Sequence, residues 1–336
     1  MVKTNDVGKH EIASMMGLVD TYIRYRQFKQ KGDRKYIYYH PSEFGRCLRY
    51  QQYRHYAELG FIDQLDSKLD SRILRLFDKG HNMHNRWSDY FTDIGILRGV
   101  WKCANMACYM IDDNGKQNPN ANFEEIIAKG KTRLHGKDNK HGIFKPDKCV
   151  CGSTKFTYSE VSVFDKELNM SGRSDVILDC SNLDVNLFKD VGIAFDTNFL
   201  PQKGQTVVGD MKTIGQSAWD NTLIAKGAHK YYMIQLTIYT HILDCDYGLL
   251  MYENKNNSEM KWYKVPRNDE WWNIIQWQAK YMIKMTGKKG LPPPRPKSIK
   301  EYECKGCAYL DICKKSKVWK DPDLNEKRQK FYRSLL

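Results

Sequence analysis

Asp175, Asp210 and Lys212 carry the groups that phosphoryl chemistry needs. Asp175 opens the apolar run of SGRSDVILD after a turn containing Gly172, and Asp210 and Lys212 stand two apart in VVGDMKT. Residues two apart on a strand leave the same face. Two carboxylates brought to the ends of neighbouring strands make a hard-oxygen site suited to Mg²⁺ or Mn²⁺. A lysine on that face can orient a water or offset charge developing on a phosphate. A bare D-x-K is ordinary surface charge, but this one directly follows Val207 and Val208. His84 falls on the apolar stripe of a predicted helix, where an imidazole is either a third ligand or a satisfied core residue; His81 competes for the same role. Gln235 and Tyr239 are i,i+4 neighbours on a later helix and serve packing, the hold on a substrate phosphate or the support of a catalytic lysine. Glu160 in TYSE either approaches this site from an adjacent strand or is a surface carboxylate.

The ten cysteines divide by spacing. Cys304, Cys307 and Cys313 form a tight group, and three thiolates need a fourth ligand for a zinc ion or a four-iron cluster. Cys103-x₄-Cys108 and Cys149-x-Cys151, separated by a long polar stretch, suggest a Cys₄ zinc module, with His135 and His141 as substitutes if one cysteine is excluded. Cys180 and Cys245 have no partner pattern and read as small buried residues.

These groups need elements to hold them. SEFGRCLRYQQYRHYAEL reads as a helix with Ser42 near its N-cap. Residues 70–96 read as a firmer helix, with Ile73, Phe77, Gly80, His84, Trp87, Phe91 and Ile94 at spacings of three and four. Short alternating β runs around a turn at Asp165–Asn169 fill 156–179, a strand covers about 206–213, and 226–243 is a helix. GLLMYE and KWYKVP form a hairpin, 268–287 is a helix, and GLPPPRP is a stiff linker. The domain reading is 1–98 as the N-terminal helical part, 99–155 as a Cys-rich insertion, 156–290 as the catalytic core, and 291–336 as a basic C-terminal cysteine segment. Residues 180–205 read as a loop-rich excursion.

The chain has 336 residues, enough for a sizeable core, and a formal net charge of +14. Residues 281–336 hold 15 Lys and Arg against 6 Asp and Glu, an asymmetry that suits a polyanionic partner. No run approaches 18 apolar residues, and nothing near Met1 reads as a secretory signal, so no membrane is expected and the cytoplasm is the expected compartment, that of the host if the chain is phage-encoded. Cysteines in that setting point to metal rather than disulfides. The absence of G-x₄-G-K-[ST] argues against a motor, and the lack of C₂H₂ spacing argues against a dedicated transcription factor.

Taken in order, PSEFGRC with Ser42 and Cys47, GHNMH with Gly80 and His84, GRSD with Asp175, GDMK with Asp210 and Lys212, QLTIY with Gln235 and Tyr239, and C-x₂-C-x₅-C at Cys304, Cys307 and Cys313 resemble a known family. The chain is similar to the RecB-like branch of the PD-(D/E)XK nucleases, of the iron–sulfur type related to CRISPR-associated adaptation exonucleases. The resemblance spans about 41–313; Asp210 departs from the more common Glu. It implies an α/β (α+β) restriction-endonuclease-like core with a central mixed sheet flanked by helices. It implies Mg²⁺ or Mn²⁺ held by His84, Asp175 and Asp210, Lys212 acting on the attacking water, and Gln235 and Tyr239 in support. It also implies a 4Fe-4S cluster on Cys304, Cys307 and Cys313 completed by Cys47, with zinc on the same ligands as the rival. The implied partner is DNA, single-stranded or with free ends, and the implied setting is recombination, replication or phage packaging. Exonuclease action is favoured, with a packaging or structure-selective endonuclease and a catalytically silent DNA-binding or assembly protein as alternatives.

Overall fold

The computed structural model describes residues 15–30, 37–63, 71–118, 132–183, 202, 204–287, 304 and 307–315. The GLPPPRP linker, most of the basic block 281–336, most of the 180–205 excursion and the middle of the 99–155 region lie outside the described residues.

A mixed sheet forms the centre. Its main path, in spatial order, is β10 (Met260–Pro266), β9 (Tyr247–Asn254), β8 (Thr206–Ile214), β7 (Val176–Asp179), β1 (Leu97–Cys103) and β2 (Leu134–His135). β3 (Ile143–Phe144) and β4 (Phe156–Ser159) also pair with β1, which brings the sheet to eight strands. β8 and β9 are parallel, and the other pairs are antiparallel. A separate two-stranded ribbon joins β5 (Val161–Asp165) to β6 (Met170–Ser174).

Alternation along β7 and β8 sends side chains to two different layers. Val207, Met211, Val176 and Leu178 pack with Met83 and Phe91 of α3 (Ser71–Ile94), the helix that follows α1 (Met15–Gln30) and α2 (Leu48–Glu58), on one face. Val208 and Ile177 pack on the other with Leu236, Tyr239 and Leu243 of α4 (Lys230–Leu243). α4 is the crossover that a parallel β8–β9 pair requires. It is buried on both sides, because Ile234 and Ile238 meet α5 (Asp269–Gly287) through Ile275, Ala279 and Met282. Its buried Thr237 and Thr240 are satisfied within the helix, by the carbonyls of Met233 and Thr237 at 3.0 and 2.9 Å. Among the described residues no helix is long and apolar enough to cross a membrane.

Several sequence expectations need correction. Ser42 does not cap a long helix. It lies inside a short 3₁₀ turn, Pro41–Glu43, and α2 (Leu48–Glu58) starts separately behind Cys47, with no side-chain cap. Gly45, between them, approaches α4 so closely that a Cβ there would lie 2.4 Å from the Tyr231 Cα, and the chain breaks its helix to make that approach. The helix foreseen at 226–243 begins at Lys230, behind a π-helical stretch, Trp219–Ile224. The boundary drawn at 98/99 runs through β1. That strand pairs with β7 at Leu97 and Arg98 and continues to Cys103, pairing there with β4, so the cysteine region grows out of the central sheet.

Candidate metal centres

The β7–β8 ladder ends at Val176 and Gly209, and the candidate acidic site lies just beyond, where no further ladder bond joins them. A Cβ on Gly209 would lie 2.5 Å from the Val176 Cγ2, so glycine permits the last close pair. Past it, the main chain of Met211 turns both its polar groups toward the opening. Its N–H donates to Asp175 Oδ2 at 2.7 Å, and its carbonyl accepts from His84 Nε2 at 3.0 Å. A carbonyl can only accept, so Nε2 carries the hydrogen, and in the neutral ring Nδ1 keeps its lone pair. That Nδ1 faces Asp175 Oδ1 at 3.8 Å. One residue of β8 thus aims two side chains from two other elements. His81 is exposed and plays no part in this arrangement.

Asp210 points to the α4 side of the sheet and is fully buried. Its Oδ1 accepts from Lys212 Nζ at 2.7 Å and from Gln235 Nε2 at 3.1 Å, while its Oδ2 has no hydrogen-bond partner among the described residues. Gln235 also donates to the Tyr239 hydroxyl at 3.2 Å. Gln235 and Tyr239 are buried in the core, and Gln235 bonds the acid Asp210 rather than Lys212. The Lys212 ammonium lies 4.9 Å from the centre of the Tyr232 ring. Burial works against that charge, but Asp210 and Asp175 outweigh it and hold its pKa above the ordinary lysine value.

Glu160 completes the acidic face. In the β5–β6 ribbon Val161 pairs with Ser174, and continuing the register by one residue sets Glu160 opposite Asp175. Ligand atoms of His84, Glu160 and Asp175 all lie within 4.8 Å of one another. Asp210 is not in that group, so the trio expected from sequence, His84, Asp175 and Asp210, is replaced there by one containing Glu160. Tyr158, on β4, fixes the corner by donating to the Asp175 carbonyl at 2.9 Å.

Burial and then the Lys212 and Asp175 charges set the Asp210 carboxyl, with a net rise to about 7. Burial, reinforced by Asp175, raises Glu160 to about 7 as well. A carboxyl raised in the folded state keeps a proton that the unfolded chain has already released. In metal-free protein, the contribution of Asp210 to stability is therefore best near pH 4 and falls as pH rises toward 7. Asp210→Asn is expected to gain on the wild type between pH 5 and 8, by more than about 1 kcal/mol in thermal or urea unfolding. Taking the difference between the two proteins cancels groups such as His55 and His229, which burial holds below the ordinary histidine value and which pull the opposite way. A difference that is flat with pH would contradict this assignment.

The second centre is made of thiols. Cys103 ends β1, Cys108 lies in the 3₁₀ turn Met106–Met110, and Cys149 and Cys151 flank a tight turn closed by Gly152 at φ +84. The Cys103–Cys151 and Cys108–Cys149 sulfurs are 3.7 and 3.2 Å apart, and ligand atoms of all four lie within 4.8 Å of one another. Zinc–sulfur bonds of about 2.3 Å in a tetrahedron place sulfurs about 3.8 Å apart, so this group could hold a metal ion such as zinc. Burial raises the Cys103 and Cys108 pKa values. At Cys151 burial is outweighed by the Ser153 amide and the neighbouring thiols, which bring it down to about 7. The histidine substitutes are not needed. His141 Nε2 donates to the Leu243 carbonyl at 2.6 Å, and His135 packs edge-on against Phe156.

Cys47, at the N-cap of α2, has its pKa raised first by burial and then by Cys313 and Cys307. Cys307 is affected in turn by Cys313 and Cys304. Tyr309 stacks on Tyr53 with ring centroids 5.5 Å apart, which joins this segment to α2. The structure thus brings Cys47 near the terminal group, but these four do not form a set within 4.8 Å as the other four do. Cys180 and Cys245 are buried, as expected.

No protein-family model matches the chain, and no curated protein matches it. Among solved structures it is similar to one described as "Crystal structure of SSO0001", at 13% sequence identity and a TM-score of 0.41, over 89% of this chain and 98% of that one. A likeness that distant leaves the reading of function to the residues themselves.

Proposed function

We propose that the chain is a divalent-metal-dependent DNA nuclease. One observation carries the reading: the buried Asp210 and the half-buried Lys212 paired with it stand beside Asp175 and His84 at the point where two strands part, with the main chain of Met211 orienting both ligands. His84 Nδ1 and Asp175 Oδ1, with the Glu160 carboxylate beside them, and separately Asp210 Oδ2, are the atoms left open for Mg²⁺ or Mn²⁺. Hard oxygen donors with one imidazole suit those ions, and the otherwise unpartnered Asp210 Oδ2 gains a partner by binding one. Such an ion supplies Lewis acidity toward a phosphoryl oxygen and lowers the pKa of a coordinated water.

The protein's own groups do the rest. Lys212, held by Asp210 and the Tyr232 ring, presents a fixed positive charge where a phosphate gains negative charge. Gln235 and Tyr239 hold Asp210 in place from behind. The exposed Arg46 guanidinium lies over the Tyr231 ring at 5.0 Å, beside the pair, and suits a backbone phosphate. Exonuclease action is favoured through the family resemblance, and the Cys103 group and the Cys47 group are proposed as zinc and iron–sulfur centres respectively.

The test is a time course with Mg²⁺, Mn²⁺ or chelator on circular, linear double-stranded and linear single-stranded DNA. Metal-dependent loss of the linear substrates with circles intact supports an exonuclease, and nicked circles support an endonuclease. Binding without cleavage of any substrate under metal-replete, reduced conditions would overturn the enzymatic reading in favour of a silent DNA-binding protein.

A further inference from the structure

Lys79 and Lys255 come together where α3 crosses the end of β8, and neither belongs to a motif of the acidic site. Lys79 precedes Gly80, where α3 passes so close to β8 that a Cβ would lie 3.8 Å from the Thr213 Oγ1. Lys255 follows the end of β9, and its amide donates to the Ile214 carbonyl at 2.8 Å, which holds it beside the same strand end. The turn that carries it is braced from within. The fully buried Asn254 side chain donates to Gln216 Oε1 at 2.8 Å and accepts from the Asn256 amide at 3.0 Å. Burial lowers the Lys255 pKa, and the Lys79 charge lowers it further, so the two ammonium groups repel each other here.

The nearby carboxylates are committed elsewhere. Asp78 pairs with Arg26, and Glu253, two residues before Lys255, pairs with Arg86 and accepts from Trp87 Nε1 at 2.8 Å. The side chains of Lys79 and Lys255 make no ion pair or hydrogen bond among the described residues, nor does the half-buried Thr213 hydroxyl. Two cations held together without a counter-charge favour an anion that lies against both. Gly80 is four residues before His84, about 6 Å along the helix, and Thr213 is two residues beyond Met211, about 7 Å along the strand. Both elements set the lysines one short step from the acidic site, on the α3 face of the sheet.

We propose that Lys79 and Lys255, with the Thr213 hydroxyl beside them, hold the phosphate next to the scissile one in a bound DNA strand. Arg46 lies against Tyr231 on the α4 side, so a strand gripped at both places crosses the end of the sheet over the acidic site. Lysines grip a phosphate as point charges and carry no sequence information. The position of this phosphate relative to the cleaved bond rests on the nuclease reading above, but its capture does not.

Fluorescence anisotropy of a labelled single-stranded oligonucleotide, on the full chain with its thiol centres loaded and no Mg²⁺ or Mn²⁺ added, tests the capture without cleavage. Lys79→Ala/Lys255→Ala is expected to weaken binding by about 10- to 30-fold at 0.1 M salt. It should also reduce the slope of log affinity against log salt by about 1.4, the share of two phosphate charges on a single strand. Lys79→Ala alone, at an exposed position, should show about half of that slope change and serves if the double variant fails to fold. Lys116→Ala/Lys137→Ala removes the same net charge from exposed positions in the cysteine region and should leave the slope unchanged. An unaltered slope in the first pair, an equal loss in both pairs, or a wild type that binds no oligonucleotide would overturn the proposal. Cleavage on adding metal, with an unaltered slope, would sink this site and spare the nuclease reading. The expected slope change with no cleavage would leave the phosphate site standing and defeat that reading instead.

Discussion

On the proposed nuclease reading, Lys212→Met is expected to slow DNA cleavage by about 10²- to 10⁴-fold while leaving Mn²⁺ stoichiometry unchanged. An ammonium cannot be a metal ligand, so its loss separates the fixed positive charge from the ions. Lys212 is locked by Asp210 at 2.7 Å and by the Tyr232 ring, and methionine keeps the length of the stem. The substitution also leaves Asp210 buried beside Asp175 without its counter-charge, at a cost of up to about 3 kcal/mol at pH 8. The double variant Asp210→Asn/Lys212→Met removes both charges, so it should recover most of that stability and none of the activity. Cleavage within tenfold of the wild type in Lys212→Met would show that the lysine only balances a buried acid.

The second large effect lies at the thiol group of Cys103, Cys108, Cys149 and Cys151. Apparent binding free energies for structural zinc on four such ligands are about 10–16 kcal/mol, and much of that is folding free energy for the segments they join. Cys108→Ser, at the most enclosed position of the four, should abolish one equivalent of bound metal and lower the melting temperature by about 10 °C or more. The damage should spread from the module into the sheet. Trp101 is buried in the main core, donates to the Ile143 carbonyl at 2.9 Å, and pairs with both His135 and Tyr158. Its fluorescence reports on the corner directly. An unchanged emission spectrum and melting temperature in metal-depleted Cys108→Ser would mean that the thiols merely pack together.

Much of the site was legible because its parts lie on elements with strong periodicity. His84 lies on a continuous helix as the periodicity predicts, and Gly80 passes close to β8, where a Cβ would sit 3.8 Å from the Thr213 Oγ1. Ile73, Phe77 and Ile94 of the expected stripe are exposed, however, and the helix is buried through Leu74, Met83 and Phe91. The alternation in VVGDMKT placed Asp210 and Lys212 on one face correctly, since Val208 packs on that same side. Glu160 was harder to place because it depends on register. The sequence pattern predicts the turn at Asp165–Asn169, whereas Asp165 pairs with Met170. Only with that pairing does Glu160 fall opposite Asp175, and a slip of one residue would send it to the other face. β1 was hidden for a different reason. LRGVWKC is buried along nearly its whole length and lacks the clean alternation of a half-exposed strand, so its pattern does not stand out from the polar, cysteine-rich sequence after it. The separate start of α2 was invisible because the break answers a tertiary contact, the approach of Gly45 to Tyr231.

Orientation of Asp175 and His84 by the peptide groups of Met211 has a consequence for how this protein can vary. The Met211 side chain points to the opposite face and packs with Met83, Leu249 and Met251. Position 211 can therefore drift among apolar residues of similar volume, at a stability cost under about 1.5 kcal/mol, while the two hydrogen bonds persist. What it cannot accept is proline, which has no N–H to give. The chemistry is insulated from the identity of the residue that aims it, and exposed only to the path of its backbone.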